Sequence, residues 1–150
     1  MFSSILKKKL SEDQVSNIFI NGLFDAIDRG FECVAGAIND DSCFVSSPGI
    51  DPKEINDFAL IVITGNIIEL ERLFDGHTGS RLLNIVYDKL AGIYKMEEME
   101  MRQIIQEYKA YMKRVNSPSK TTLYGMSKAI FHKYALNRNH KMHPLHVRLR

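Results

Sequence analysis

Tryptophan is missing from this 150-residue chain, cysteine occurs twice, proline four times, and no acidic residue follows Glu107. Each shortage excludes something. Cys33 and Cys43 form neither a paired-thiolate metal motif nor a disulfide framework, so reduced, buried thiols are expected, as in a cytoplasmic protein. No apolar run approaches the roughly 18 residues of a membrane span. The longest, FALIVITGNII, is interrupted by Thr64, Gly65 and Asn66. No integral membrane association is therefore expected. The opening MFSSILKKKL puts its lysines after a short apolar patch, the reverse of a secretory signal, so export is not expected either. Hydrophobic residues make up 45% and charged residues 25%, which suits a globular core and argues against global disorder.

The residues present repeat with helical spacing. SEDQ reads as a capping box with Ser11 as the cap, and Phe19, Ile20, Leu23, Phe24, Ile27, Phe31, Val34, Ala35 and Ile38 follow at gaps of three and four. They predict one helix over about residues 12–38, with a strand at 31–37 as the alternative. NDDSCFVSSPGID reads as a loop anchored by Phe44 and Val45. Asp51, Pro52 and Glu54 then start a second helix over about 52–75. Its apolar residues occupy more than one side, which marks a central, buried helix; the alternative is a strand at 60–64. Ser80 is expected to cap a third helix carrying Leu82 to Tyr94, and Met101 to Val115 lie on a fourth. The pattern hardly breaks near Met96, so the two are readable as one rod. Pro118 ends the fourth, and a fifth spans about 119–136 with Asn137 as its C-terminal cap. The expectation is an all-α, single-domain bundle of about five helices over residues 1–137, followed by an extended basic tail over 138–150.

Several groupings invite a chemical reading. His140, His143 and His146 recur every third residue, but Pro144 disfavours a helix there, and in an extended chain they point to alternating sides. They are weak metal candidates, and no metal or cofactor is expected. Gly76, His77, Gly79, Ser80 and Arg81 precede a helix start, where free N–H groups and a guanidinium suit an anion, without the full spacing of a phosphate-binding loop. Glu97, Glu98 and Glu100 lie near Arg102, and Glu107 near Lys109–Lys113, which reads as solvated helix faces rather than catalytic carboxylates. Neither cysteine has a histidine nearby in sequence, and no catalytic residue is assigned. The six tyrosines fall on helices, packing the core with hydroxyls at its edge.

The strongest compositional signal is a charge division. Residues 1–107 hold all 18 acids and ten Lys/Arg; residues 108–150 hold ten Lys/Arg and no acid. Lys128, Lys133, Arg138, Lys141, Arg148 and Arg150 are the expected contacts for a polyanion or partner. The favoured reading is a non-catalytic interaction or scaffold module that self-associates, as a dimer, or binds an acidic protein surface. Met96, Met99, Met101, Met112 and Met126 are expected to serve that interface. Nucleic-acid or polyanion binding is the second reading, disfavoured by a tail without aromatics for base stacking. A small-molecule binder or enzyme with a pocket between helices near Gly65, Asn66 and the GHTGSR corner is the third.

Overall fold

The computed structural model of the protein describes residues 9–74 and 76–136. The expected tail and its cap Asn137 lie outside the described residues. Five α-helices account for the fold: α1 (Glu12–Asn39), α2 (Ile55–Leu73), α3 (Gly76–Tyr94), α4 (Glu98–Val115) and α5 (Thr122–Lys133). Neither alternative strand forms. The helix α2 runs through the middle and touches each of the other four, which follow one another around it in the order α1, α3, α4, α5. The helices α1 and α5, at the two ends of that arc, have no close backbone approach; Phe31 of α1 reaches Tyr134 just beyond α5, with ring centres 6.3 Å apart.

Local chemistry explains the starts. The Gln14 N–H donates to Ser11 Oγ (3.1 Å) and the Ser11 N–H to Gln14 Oε1 (2.9 Å), closing the capping box of α1. The Lys53 N–H donates to Asp51 Oδ1 (2.8 Å) and the Asp51 N–H to Glu54 Oε2 (2.9 Å), so a short 3₁₀ turn, Pro52–Glu54, leads into α2. Between them, Asn39 clamps Ile50 through two hydrogen bonds, Ile50 N–H to Oδ1 and Nδ2 to the Ile50 carbonyl. Ile50 is buried and Phe44 packs on the core, but Val45 is exposed; the expected anchor at Val45 is Ile50 instead.

Packing explains the centre. Phe58, Ala59, Ile61, Ile63, Thr64, Gly65, Ile67 and Leu70 are all buried, and they lie around the whole circumference of α2. Ile61, Ile63 and Ile67 have no exposed surface at all. Each contributes roughly 1.5–3 kcal/mol through that burial. Ile63 and Ile67 join the large core with Leu23, Ile27, Val86 and Leu90. Ile61 joins a smaller one with Met112 and Ala129. A side chain at Gly65 would begin 2.4 Å from the Met126 sulfur, so the glycine is what lets α5 lie close on α2. At the far end of α5, the Tyr134 hydroxyl accepts the Phe58 N–H (3.0 Å) and donates to the Glu54 carbonyl, tying that end to the start of α2.

Two boundaries differ from expectation, and a third, between α3 and α4, was left open by the sequence. The helix α3 begins at Gly76 rather than after Ser80, so most of GHTGSR is its first turn. Glycine and threonine read as poor helix formers there, but packing overrides propensity: a Cβ on Gly79 would sit 2.3 Å from the Phe74 carbonyl oxygen. The helices α3 and α4 are separate. Lys95 adopts a left-handed φ of 54°, with Met96 N–H bonded to the Ala91 carbonyl and Lys95 N–H to that of Gly92. That is the Schellman stop, usually written with glycine. The helix α5 begins after Thr121, which caps the Tyr124 N–H, and it ends at Lys133, with Ala135 left-handed beyond it.

Gly79→Ala should lower stability by about 1–3 kcal/mol, because the new methyl meets fixed backbone. Gly22→Ala, on the open face of α1 with nothing within 4 Å, should raise it by up to about 1 kcal/mol. Urea midpoints of the two variants check this; displacement in the same direction would contradict it.

Candidate functional site

The residues expected to bind an anion lie in the first turns of α3, on its buried and exposed sides alike. Gly79 is buried, while Gly76, His77 and Ser80 are exposed. The Arg81 guanidinium is already held by Glu12, with Nη2 2.7 Å and Nε 2.9 Å from Oε1 and Nε 3.1 Å from Oε2. This pair joins the starts of α1 and α3. The hydrogen bond from Arg81 holds the Glu12 carboxyl below its ordinary pKa. An anion arriving there would compete with that carboxylate. Gly65 and Asn66 do not share a pocket with this corner. They line a shallow groove with Glu69, Arg72, Leu123 and Met126, between α2 and the start of α5. The Asn66 amide donates back to the Val62 carbonyl (2.8 Å), which accounts for an asparagine in an apolar helix.

The basic field is better assembled than the sequence suggests. Lys133 places its ammonium 4.9 Å from the centre of the Tyr111 ring and 5.1 Å from that of Tyr108, and the Arg114 guanidinium lies 5.4 Å from the Tyr111 ring. Lys128 sits 5.8 Å from the ring of Tyr124. The result is a cationic face with interleaved aromatics on the second half of α4 and on α5. Lys128 and Lys133 are the expected contacts that fall within it. Arg138, Lys141, Arg148, Arg150 and the histidines His140, His143 and His146 lie outside the described residues. Arg114 belongs to the basic field expected from the sequence, whereas Tyr108 and Tyr111 were not singled out as binding residues. Their signal was local: Tyr111 and Arg114 stand three apart on one helix, and Tyr124 and Lys128 four apart. One acid penetrates this face: the Tyr108 hydroxyl donates to Asp57 Oδ1 (2.6 Å). Burial first, and then that bond, drive the Tyr108 pKa strongly upward.

At the other end of the arc, α1 turns Asp25, Asp28 and Glu32 outward, and Arg29 pairs with Asp25 (2.9 Å). Between them lie the small exposed residues Gly22, Ala26, Cys33 and Gly36. Cys33 is therefore exposed where a buried thiol was expected, because it falls on the face opposite Phe31 and Ala35. The methionines also depart from expectation. Met101 and Met112 are buried, Met96 and Met126 pack against the core, and Met99 is exposed. They fill gaps between helices rather than forming an outer surface. Five of the six tyrosines pack on the core as expected, Tyr134 from just beyond α5, while Tyr124 lies outside it with its hydroxyl donating to the Ser117 carbonyl (3.2 Å). Tyr87 is buried under the Arg102 guanidinium, 4.3 Å from its ring centre, and burial pushes its hydroxyl up to about 12.

Among the described residues, no group of three His, Cys, Asp or Glu side chains gathers as metal ligands would. No described helix is long and apolar enough to cross a membrane. Comparison with family models, with curated proteins and with solved structures finds no match to this chain.

The Tyr134 staple gives a pH dependence. Burial pushes its hydroxyl up to about 12, opposed by the bond from the Phe58 N–H. An unfolded tyrosine ionises near pH 10. The fold therefore favours the neutral phenol, and this contribution is complete below about pH 10 and lost as pH rises through about 12. Tyr134→Phe should lower stability at neutral pH by about 1 kcal/mol. It should also fall less steeply than the wild type between pH 10 and 12 in denaturant titrations. Equal alkaline slopes would contradict the assignment.

Proposed function

We propose that this chain is a cytoplasmic, non-catalytic interaction module that associates with itself. The observation that carries the reading is the separation of charge between helices whose backbones do not approach. Within α1 five acids stand against the single base Arg29, while residues 108–136 contain six Lys/Arg and no acid. In the proposed complex, the acidic outer stripe of α1 in one copy receives the cationic–aromatic face of α4 and α5 in another. Small residues at Gly22, Ala26, Cys33 and Gly36 allow a close approach, and Tyr111 and Tyr124 supply amphipathic area beside the charges. Opposed charge sets register and association rate more than raw affinity. A symmetric dimer of this kind places each α1 against the partner's α4–α5 face; an unclosed repeat of the same contact grows into larger species. The exposed Cys33 thiol supports a reducing compartment.

A second reading, binding of a nucleic acid or other polyanion, is favoured by one observation: Tyr111 lies between Arg114 and Lys133 on an exposed basic face.

Light scattering across protein concentration separates the two. At about 50 mM salt the mass should be at least twice that of one chain, and at about 500 mM it should fall toward one. Reversal of the acidic stripe in the variant Asp25→Lys/Asp28→Lys/Glu32→Lys should abolish the larger species at low salt. A monomer at every concentration and ionic strength would overturn self-association. Tight, salt-steep binding of a single-stranded oligonucleotide by that monomer would establish the second reading instead.

A further inference from the structure

A cavity of about 470 Å³ opens where the end of α2, the end of α4 and the start of α5 come together. Its floor is apolar, made by Ile68 and Met112 and by Gly125, which presents no side chain. The Asn116 side chain lies against Gly125. The Asn116 amide donates to the Thr121 carbonyl (3.0 Å), and a Cβ on residue 125 would come within 3.1 Å of its nitrogen. The rim is cationic. Arg72, Lys109, Lys113 and Lys120 all line it. Two of them are already engaged. Arg72 donates to Glu69 (2.7 Å) and Thr122 (3.1 Å), and Lys109 reaches Glu71 (2.5 Å). Lys113 and Lys120 have no carboxylate within ion-pair distance among the described residues. Net positive charge therefore faces an apolar floor in a cavity of the size that takes small molecules.

We infer that this cavity is a binding site for a small organic phosphate, with the phosphate between Lys113 and Lys120 and the apolar part of the molecule on Ile68 and Met112. Two cations without counter-acids match a phosphomonoester, which carries close to two negative charges at neutral pH. The α5 N-terminus, capped by Thr121, adds its partial positive charge on the same side. The Arg72–Glu69–Thr122 network holds the wall shared with the shallow groove beside it, so Arg72 stays fixed as the two lysines close on the ligand. None of these residues belongs to the acidic stripe of α1, and the site is complete within one chain.

Titration calorimetry with the full chain tests this, using octyl phosphate and adenosine monophosphate as probes and octanol and inorganic phosphate as controls. At least one probe should bind about tenfold or more tighter than both controls. The stronger probe identifies the source, alkyl for octyl phosphate and nucleoside for adenosine monophosphate. Lys113→Gln/Lys120→Gln alters only exposed side chains and should weaken that probe about tenfold or more while leaving the melting temperature of the free protein unchanged. Amide resonances of Thr122 and Gly125 should shift on binding. The inference is overturned if neither probe binds at about millimolar concentration. It is equally overturned if a control matches the probes, if the double variant binds as well as the wild type, or if the shifts fall elsewhere.

Discussion

A helix that is apolar on every side has no stable place except inside other helices, and α2 is such a helix. Ile63 and Ile67 point to one side of it and Ile61 to another, and all three are fully removed from water. Two core regions result, a large one shared with α1, α3 and the first half of α4, and a small one with Met112 of α4 and Ala129 of α5. The sheath is asymmetric for a plain reason. Gly65 lets α5 come close over Met126, whereas on the α1 side the bulk of Phe31 and Phe58, with ring centres 5.4 Å apart, fills the space. Losing any one of the central isoleucines to alanine would cost about 2–5 kcal/mol, a large share of what a domain this size holds in reserve.

Because the apolar surface is spent on the centre, the outer surfaces of the surrounding helices are left to charge and small residues. The long-range polar contacts tie one segment to another: Arg81 with Glu12, Lys89 with Asp13, Lys109 with Glu71, Tyr108 with Asp57, Arg72 with Thr122, and Tyr134 with Glu54 and Phe58. Exposed pairs of this sort contribute little to stability individually. They fix how helices are registered against one another. The registration has a chemical consequence: it gathers cations from α2, α4 and α5 around one cavity and stacks Lys133 and Arg114 on tyrosines of α4.

Much of the architecture was readable from residue order. The Ser11 and Asp51 caps, the run of apolar positions in α1 past Gly30, and the all-round apolarity of α2 each follow from local rules, and each corresponds to what forms. The misreadings have separate causes. The α3 start was hidden because Gly76, Thr78 and Gly79 favour a turn until Phe74 packs on Gly79. The α3–α4 break was ambiguous because its left-handed stop is Lys95 rather than glycine. Cys33 was misplaced because burial was expected from the usual behaviour of a free cysteine instead of from its angle on the helix. The basic field was legible as composition, and Lys128 and Lys133 were named from it. The cavity was not, because Arg72 lies far from Lys113 and Lys120 in sequence, and only the packing of α2 between α4 and α5 brings them together. Nor could the commitment of Arg81 to Glu12 be read from a turn motif alone.

Native-state hydrogen exchange followed residue by residue tests the central role of α2 most directly. If the four surrounding helices form a sheath around it, the amides of residues 59–70 must be the slowest in the chain, exchanging only when the whole molecule unfolds. Amides on the outer half of α1 and in the first turn of α5 should open well before them. Exchange of the α2 amides ahead of those in α1 or α5 would mean that the central helix is not what the others are built around.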